Sequence, residues 1–144
     1  MNLAQAIQQM STTTADDIIA DLEARYTPGL SWTERQVLLT GSDVEEWSGR
    51  VGLPRGVLYD ALALRLALGF NNNALDFDFC DQVVNELHGV ITHRNEDRPD
   101  LFWSIFLAFD AGEYYHDGNR SIDPVEAYTR PQIAQIVHRH ATGR

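Results

Sequence analysis

Apolar residues return every three or four positions along most of this chain, and that periodicity restricts it to helices. The clearest case is "ALDFDFCDQVVNELHGVI" (74–91). There Leu75, Phe79, Val83, Leu87 and Val90 share one face, and Asp78, Asp81, Gln82 and Asn85 share the opposite one. "LDFDF" alternates as a strand would, but the longer window fits a helix. No strand pair, hairpin turn, internal repeat or low-complexity tract competes with this pattern. The expectation is an all-α protein, a single-domain compact bundle of about six to eight helices spanning residues 1–144.

Start and stop signals divide the chain. "NLAQAIQQM" aligns Leu3, Ala6, Ile7 and Met10, so residues 1–13 read as a short amphipathic helix with the "STTT" connector, followed by Thr14 as N-cap of "ADDIIADLEARY". Capping boxes at Ser31/Glu34 and Ser42/Glu45 each open a short helix, and Gly52 stops the second. Pro54 suits the first turn of a helix running to about Gly69. "NNN" (71–73) is a turn. "THRNEDRPD" connects the 74–91 helix to an apolar one, and Asp123 caps a short helix at 124 that precedes a last one carrying Ile133, Ile136 and Val137. Segments 54–69 and 100–116 are apolar on nearly every side, which makes them the expected central pair.

Composition then removes whole classes of function. All eleven basic side chains are arginine, so no Schiff-base lysine, Walker-A lysine or Ser-x-x-Lys nucleophile exists. The single cysteine, Cys80, permits no intrachain disulfide or multi-cysteine zinc motif and suits a reducing cytoplasm. The N-terminus lacks the basic and apolar regions of a secretory signal. The longest apolar run, "VLYDALALRLALGF", is interrupted by Asp60 and Arg65, so no membrane span is expected. A net charge of −10 argues against nucleic acid as a partner and fits a basic protein.

"FLAFDAGEYYHDGNRSID" (106–123) holds the densest set of candidate ligands. At helical spacing Asp110, Glu113 and Asp117 fall in one sector with His116 on its margin, and Glu113/His116 has the Glu-x-x-His spacing of helical metal sites. Asp78, Asp81 and Glu86 could supply oxygen ligands from a neighbouring helix to complete a shell around a divalent transition metal. "DGNRSID" alternates oxygen side chains like a calcium loop but has Ile122 and Tyr128 where that loop needs glycine and glutamate. "HRH" (138–140) points its imidazoles to different sides of a helix. Asp60 and Arg65 lie on opposite sides of an apolar helix, so at least one approaches the core as part of a structural ion pair, Arg65 with an acid from another helix.

Two functions follow. The first is a non-enzymatic protein–protein interaction module in the cytoplasm, such as an immunity-type partner that neutralises a basic protein and needs no cofactor. Its contact residues would be Asp76, Asp78, Asp81, Asp110, Glu113 and Asp117, with Trp32, Trp47, Tyr114 and Tyr115 as aromatic anchors. The alternative is a metal-dependent helical enzyme with Asp110, Glu113 and His116 as ligands and Asp78 or Asp81 beside them. A homo-oligomer built through the N-terminal helix is a third reading.

Overall fold

The computed structural model describes residues 12–142, with side chains for 15–140. The expected helix over residues 1–13 lies mostly outside this range. Six α-helices follow in chain order: α1 (Thr12–Arg25), α2 (Gly41–Val51), α3 (Arg55–Asn71), α4 (Phe77–His93), α5 (Asp100–Asp110) and α6 (Arg130–Thr142). No strand occurs among the described residues. No helix among them is long and apolar enough to cross a membrane.

The expected central pair is the heart of the bundle, because α3 and α5 form the most extensive helix–helix packing. Leu58, Leu62, Leu66 and Phe70 of α3 are buried together with Phe102, Ile105 and Phe109 of α5. Helices α1, α4 and α6 also pack on α3, which explains why its sequence is apolar on nearly every side. Helix α4 contributes Phe79, Val83 and Leu87 to the same core, as its periodicity requires.

Several boundaries differ from the sequence reading. Helix α1 already includes Thr12–Thr14, so these threonines are helical and Thr14 is not its cap; Ser11 lies outside the described residues. Burial of Ala15, Ile18 and Leu22 outweighs the modest helix propensity of threonine. The Ser31 N–H and hydroxyl both donate to Glu34 Oε1, and the Glu34 N–H returns to the Ser31 carbonyl, but this closes one isolated turn and no helix follows. The box that opens α2 is Thr40/Asp43, two residues before the expected Ser42/Glu45. Gly52 does end α2, at φ +73°, and its N–H bonds the Ser48 carbonyl.

At the other end of the chain, a π-turn (Val125–Thr129) joins the expected short helix directly to α6. Pro131 has no N–H for the Ala127 carbonyl, and the wider turn, closed from Arg130 N–H to Val125 O, accommodates its ring. Asp123 caps this unit through the Val125 N–H at 3.0 Å.

Asp60 and Arg65 separate as their positions demand. Arg65 bonds Asp16 of α1 at 2.6 Å on the surface. Asp60, only 5% exposed, is not ion-paired. Its carboxyl accepts the Phe102 N–H at 2.8 Å and so caps α5, whose own N-cap, Pro99, has no side-chain acceptor. Burial, reinforced by nearby Asp100 and opposed by the Phe102 bond, pushes the Asp60 carboxyl up to about 6.

A carboxyl with a raised folded-state pKa stabilises fully below the unfolded value near 3.8, and that stability is lost as pH rises through about 6. Asp60→Asn keeps an acceptor for Phe102 and cannot ionise, so urea titrations should show a flatter stability profile between pH 4 and pH 6. Asp60→Leu should lose about 1–3 kcal/mol at every pH because the cap is gone. Identical profiles for wild type and Asp60→Asn would contradict this account.

Candidate functional site

The turn after α5 decides what the candidate residues can do. Helix α5 ends at Asp110 rather than continuing to 116. The Thr129 hydroxyl donates to the Ala108 carbonyl at 2.7 Å, so that carbonyl is taken as the last turn tightens. The Gly112 N–H bonds Phe109 O, and the Glu113 N–H bonds Asp110 O. Gly112 is wedged where a Cβ would overlap Thr129 Oγ1 and the Phe77 ring. The helical spacing from Asp110 to His116 therefore does not exist.

His116 instead starts a 3-10 turn (His116–Gly118). Its Nε2 lies 2.8 Å from the Ala111 carbonyl, and its ring is stacked between Tyr114 at 4.4 Å and Tyr128 at 3.8 Å. Asp117, in the same turn at φ +54°, is exposed. Asp76 is spent as the N-cap of α4, accepting the Phe79 N–H at 2.8 Å. Asn119 Oδ1 binds the Ser121 N–H and hydroxyl, so the calcium-like spacing resolves into a local turn. Among the described residues no group of three or more His, Cys, Asp or Glu is placed to hold a metal ion. The expected set of Asp110, Glu113, His116, Asp78 and Asp81 does not form a ligand shell: His116 is taken up by the Ala111 carbonyl, while Asp78, Asp81 and Glu113 meet in a cleft without metal-ligand geometry.

What the fold does assemble is a cleft of about 280 Å³ between the start of α4, the turn after α5 and the loop before α2. Asp78, Asp81, Glu113 and Asp123 line it, together with Trp32, Tyr114 and Tyr115. These three rings are 59%, 53% and 45% exposed. Trp47, expected beside them, is 2% exposed and packs into the core with Val44 on the inner face of α2. A larger groove of about 430 Å³ runs along α1 and α3, where the cation, Arg65, is already held by Asp16.

The floor of the cleft is a pair of acids. Asp81 is 2% exposed, and Glu113 reaches it from the turn after α5. Asn85 ties them together: its Nδ2 donates to Glu113 Oε2 at 2.9 Å, to Asp81 Oδ1 at 3.2 Å and to the Asp81 carbonyl at 2.7 Å. Burial first, then the Glu113 hydrogen bond and charge, then Asp110 and Asp78, keep a proton on Asp81 far above the usual carboxylate range, up to about 9. Asp110 is also raised, by burial and by Glu113. Two of the chain's own cations border the cleft: Arg35, whose Nη2 is 3.7 Å from Asp78 and whose guanidinium sits 4.5 Å from the centre of the Trp32 ring, and Arg120, whose guanidinium is 5.2 Å from the centre of the Tyr115 ring.

Cys80 and His88 lie outside the cleft. Burial pushes the Cys80 thiol up, and its Sγ faces the Leu66 carbonyl inside the core. His88 has its pKa lowered by burial and by Arg98, and it stacks against Phe106 and Trp103. No protein-family model, no curated protein and no solved structure matches this chain.

Sequence reasoning missed Gln82 and Glu86 as scaffolding, because both act on backbone more than forty residues away. It also missed Asn85 as the tie between two acids. Only the placement of Asn85 one turn beyond Asp81 on the polar face of α4 hinted at it.

Proposed function

We propose that this protein is a non-enzymatic interaction module that binds a basic protein, in the manner of an immunity-type neutralising partner. An arginine or lysine side chain of that partner enters the cleft between Trp32, Tyr114 and Tyr115. The observation that carries the reading is the convergence of four acids and three exposed aromatic rings on one concave surface. Asp78, Glu113 and Asp123 supply the field and rings supply a face for a cation, and both act more strongly in a cleft than on an open surface. The chain's charge of −10 extends the attraction beyond the cleft, so encounter is steered as well as capture. Reducing cytoplasm is the compartment that suits a lone buried thiol.

A short arginine-rich peptide tests this directly by calorimetry or fluorescence anisotropy. Binding should weaken by roughly tenfold or more between low and high salt. The double variant Asp78→Asn/Glu113→Gln should weaken it further than the charge-matched pair Asp17→Asn/Asp21→Asn on α1. Absence of binding at low salt, or equal effects of the two pairs, would overturn the reading.

A further inference from the structure

Between α1, α4 and the segment 30–38 lies a small half-open void of about 10 Å³ lined by Arg25, Tyr26, Leu30, Arg35, Leu38 and Gln82. Two buried polar atoms there have no protein partner, Arg35 Nη1 and Gln82 Oε1. The orientation of the Gln82 amide is fixed by its surroundings. Its Nε2 donates to the Gln36 carbonyl at 2.9 Å and to Glu86 Oε2 at 2.8 Å, and a flipped amide would set an oxygen against two acceptors. Gln82 itself is 3% exposed. The Arg35 side chain is 11% exposed, with its Nε bonded to the Leu30 carbonyl at 3.1 Å. Arg35 and Gln82 both line this space, the first with an unused donor and the second with an unused acceptor.

We infer that this void is a built site for one water molecule, which accepts from Arg35 Nη1, donates to Gln82 Oε1, and thereby fixes Arg35 beneath Trp32. The volume is that of about a single water, and the two partners have the opposite polarities a bridging water needs. The consequence reaches the cleft because the same guanidinium packs against the Trp32 ring and faces Asp78. Arg35 is therefore a positioning residue: it sets the aromatic wall through contacts of its own, and the water completes its hydrogen bonding. The role of the cleft in capturing a cation rests on the reading above, whereas the water site does not.

A crystal structure at about 1.5 Å or better is the direct test, and it is independent of any partner. The expected result is one well-ordered density peak about 3 Å from both Arg35 Nη1 and Gln82 Oε1. An empty void, or a direct bond between the two side chains, overturns the inference. A second measurement addresses Arg35 as a positioning residue. In Gln82→Met, which keeps the chain length but removes the acceptor together with the bonds to Gln36 and Glu86, the Trp32 indole N–H resonance should shift. The Trp103 indole resonance should stay in place. A Trp32 resonance that does not move overturns the coupling to the cleft. If the variant fails to fold, the wild-type density still decides the water site.

Discussion

Raising the pH from 6 to 9 should remove on the order of 3 kcal/mol of folding stability from the wild-type protein, and Asp81→Asn should retain it. Asp81 holds its proton in the folded state up to about 9, whereas the unfolded carboxyl releases it near 3.8. The folded state therefore binds more protons over that whole interval. The stabilisation is complete below about 4 and drains away as pH rises towards 9, by at most about 1.4 kcal/mol per pH unit for one proton. Sharing the proton with Glu113 places the expected loss below that ceiling.

Asparagine at position 81 can still accept from Asn85, and its own amide can donate to the Glu113 carboxylate. It preserves the geometry and removes the titration. Urea unfolding across the pH range reads the difference directly. Stability curves that run parallel for wild type and Asp81→Asn would show that the pair does not hold this proton. Asp60 contributes only below about pH 6, so the two acids are separable by pH window.

The second large effect belongs to Glu86. Residues 35–40 have neither helix nor strand partners, yet Leu38 and Leu39 are each 3% exposed. Their two N–H groups both end on Glu86 Oε1, at 2.8 and 3.0 Å, while Oε2 receives the Gln82 amide. One carboxylate thus does for this segment what a neighbouring strand does in a sheet. Glu86→Ala leaves two amides of buried residues without acceptors and should cost about 3–5 kcal/mol. Glu86→Gln keeps one oxygen towards the segment and should cost about half as much. Chemical denaturation with unchanged m-values checks both variants. A loss below about 1 kcal/mol in Glu86→Ala would mean that apolar burial alone seats the segment.

Helices α3 and α4 were legible in the sequence because their evidence is local: long periodic apolar runs bounded by proline, glycine and asparagine. The capping signal of α2 was legible only to within two residues, since Thr40/Asp43 and Ser42/Glu45 both satisfy the same pattern. The end of α5 was not legible at all. It depends on Thr129 taking the Ala108 carbonyl and on Phe77 crowding Gly112, contacts that no window around residue 110 contains. The burial of Trp47 was hidden for a similar reason, because a lone tryptophan in a polar stretch reads as exposed until its helix face is known. The candidate site shows the same division. Asp78, Asp81, Glu113, Tyr114 and Tyr115 were picked out by type, but their meeting with Trp32 and Asp123 is a product of the tertiary fold. The Glu-x-x-His spacing behind the metal reading assumed one continuous helix, and α5 ends at Asp110.

The carboxyl that caps α5 has a consequence for the order in which the chain can fold. Asp60 lies forty-two residues before the amide it accepts. Synthesis runs from the N-terminus, so α3 emerges from the ribosome and can present Asp60 before the segment carrying Phe102 emerges. A peptide of residues 96–112 alone begins with Pro99 at its N-cap and no acceptor of this kind, and it should stay largely uncoiled in water. Helix α5 is therefore a late arrival whose start is supplied by an earlier part of the chain, and the vectorial direction of translation works in its favour.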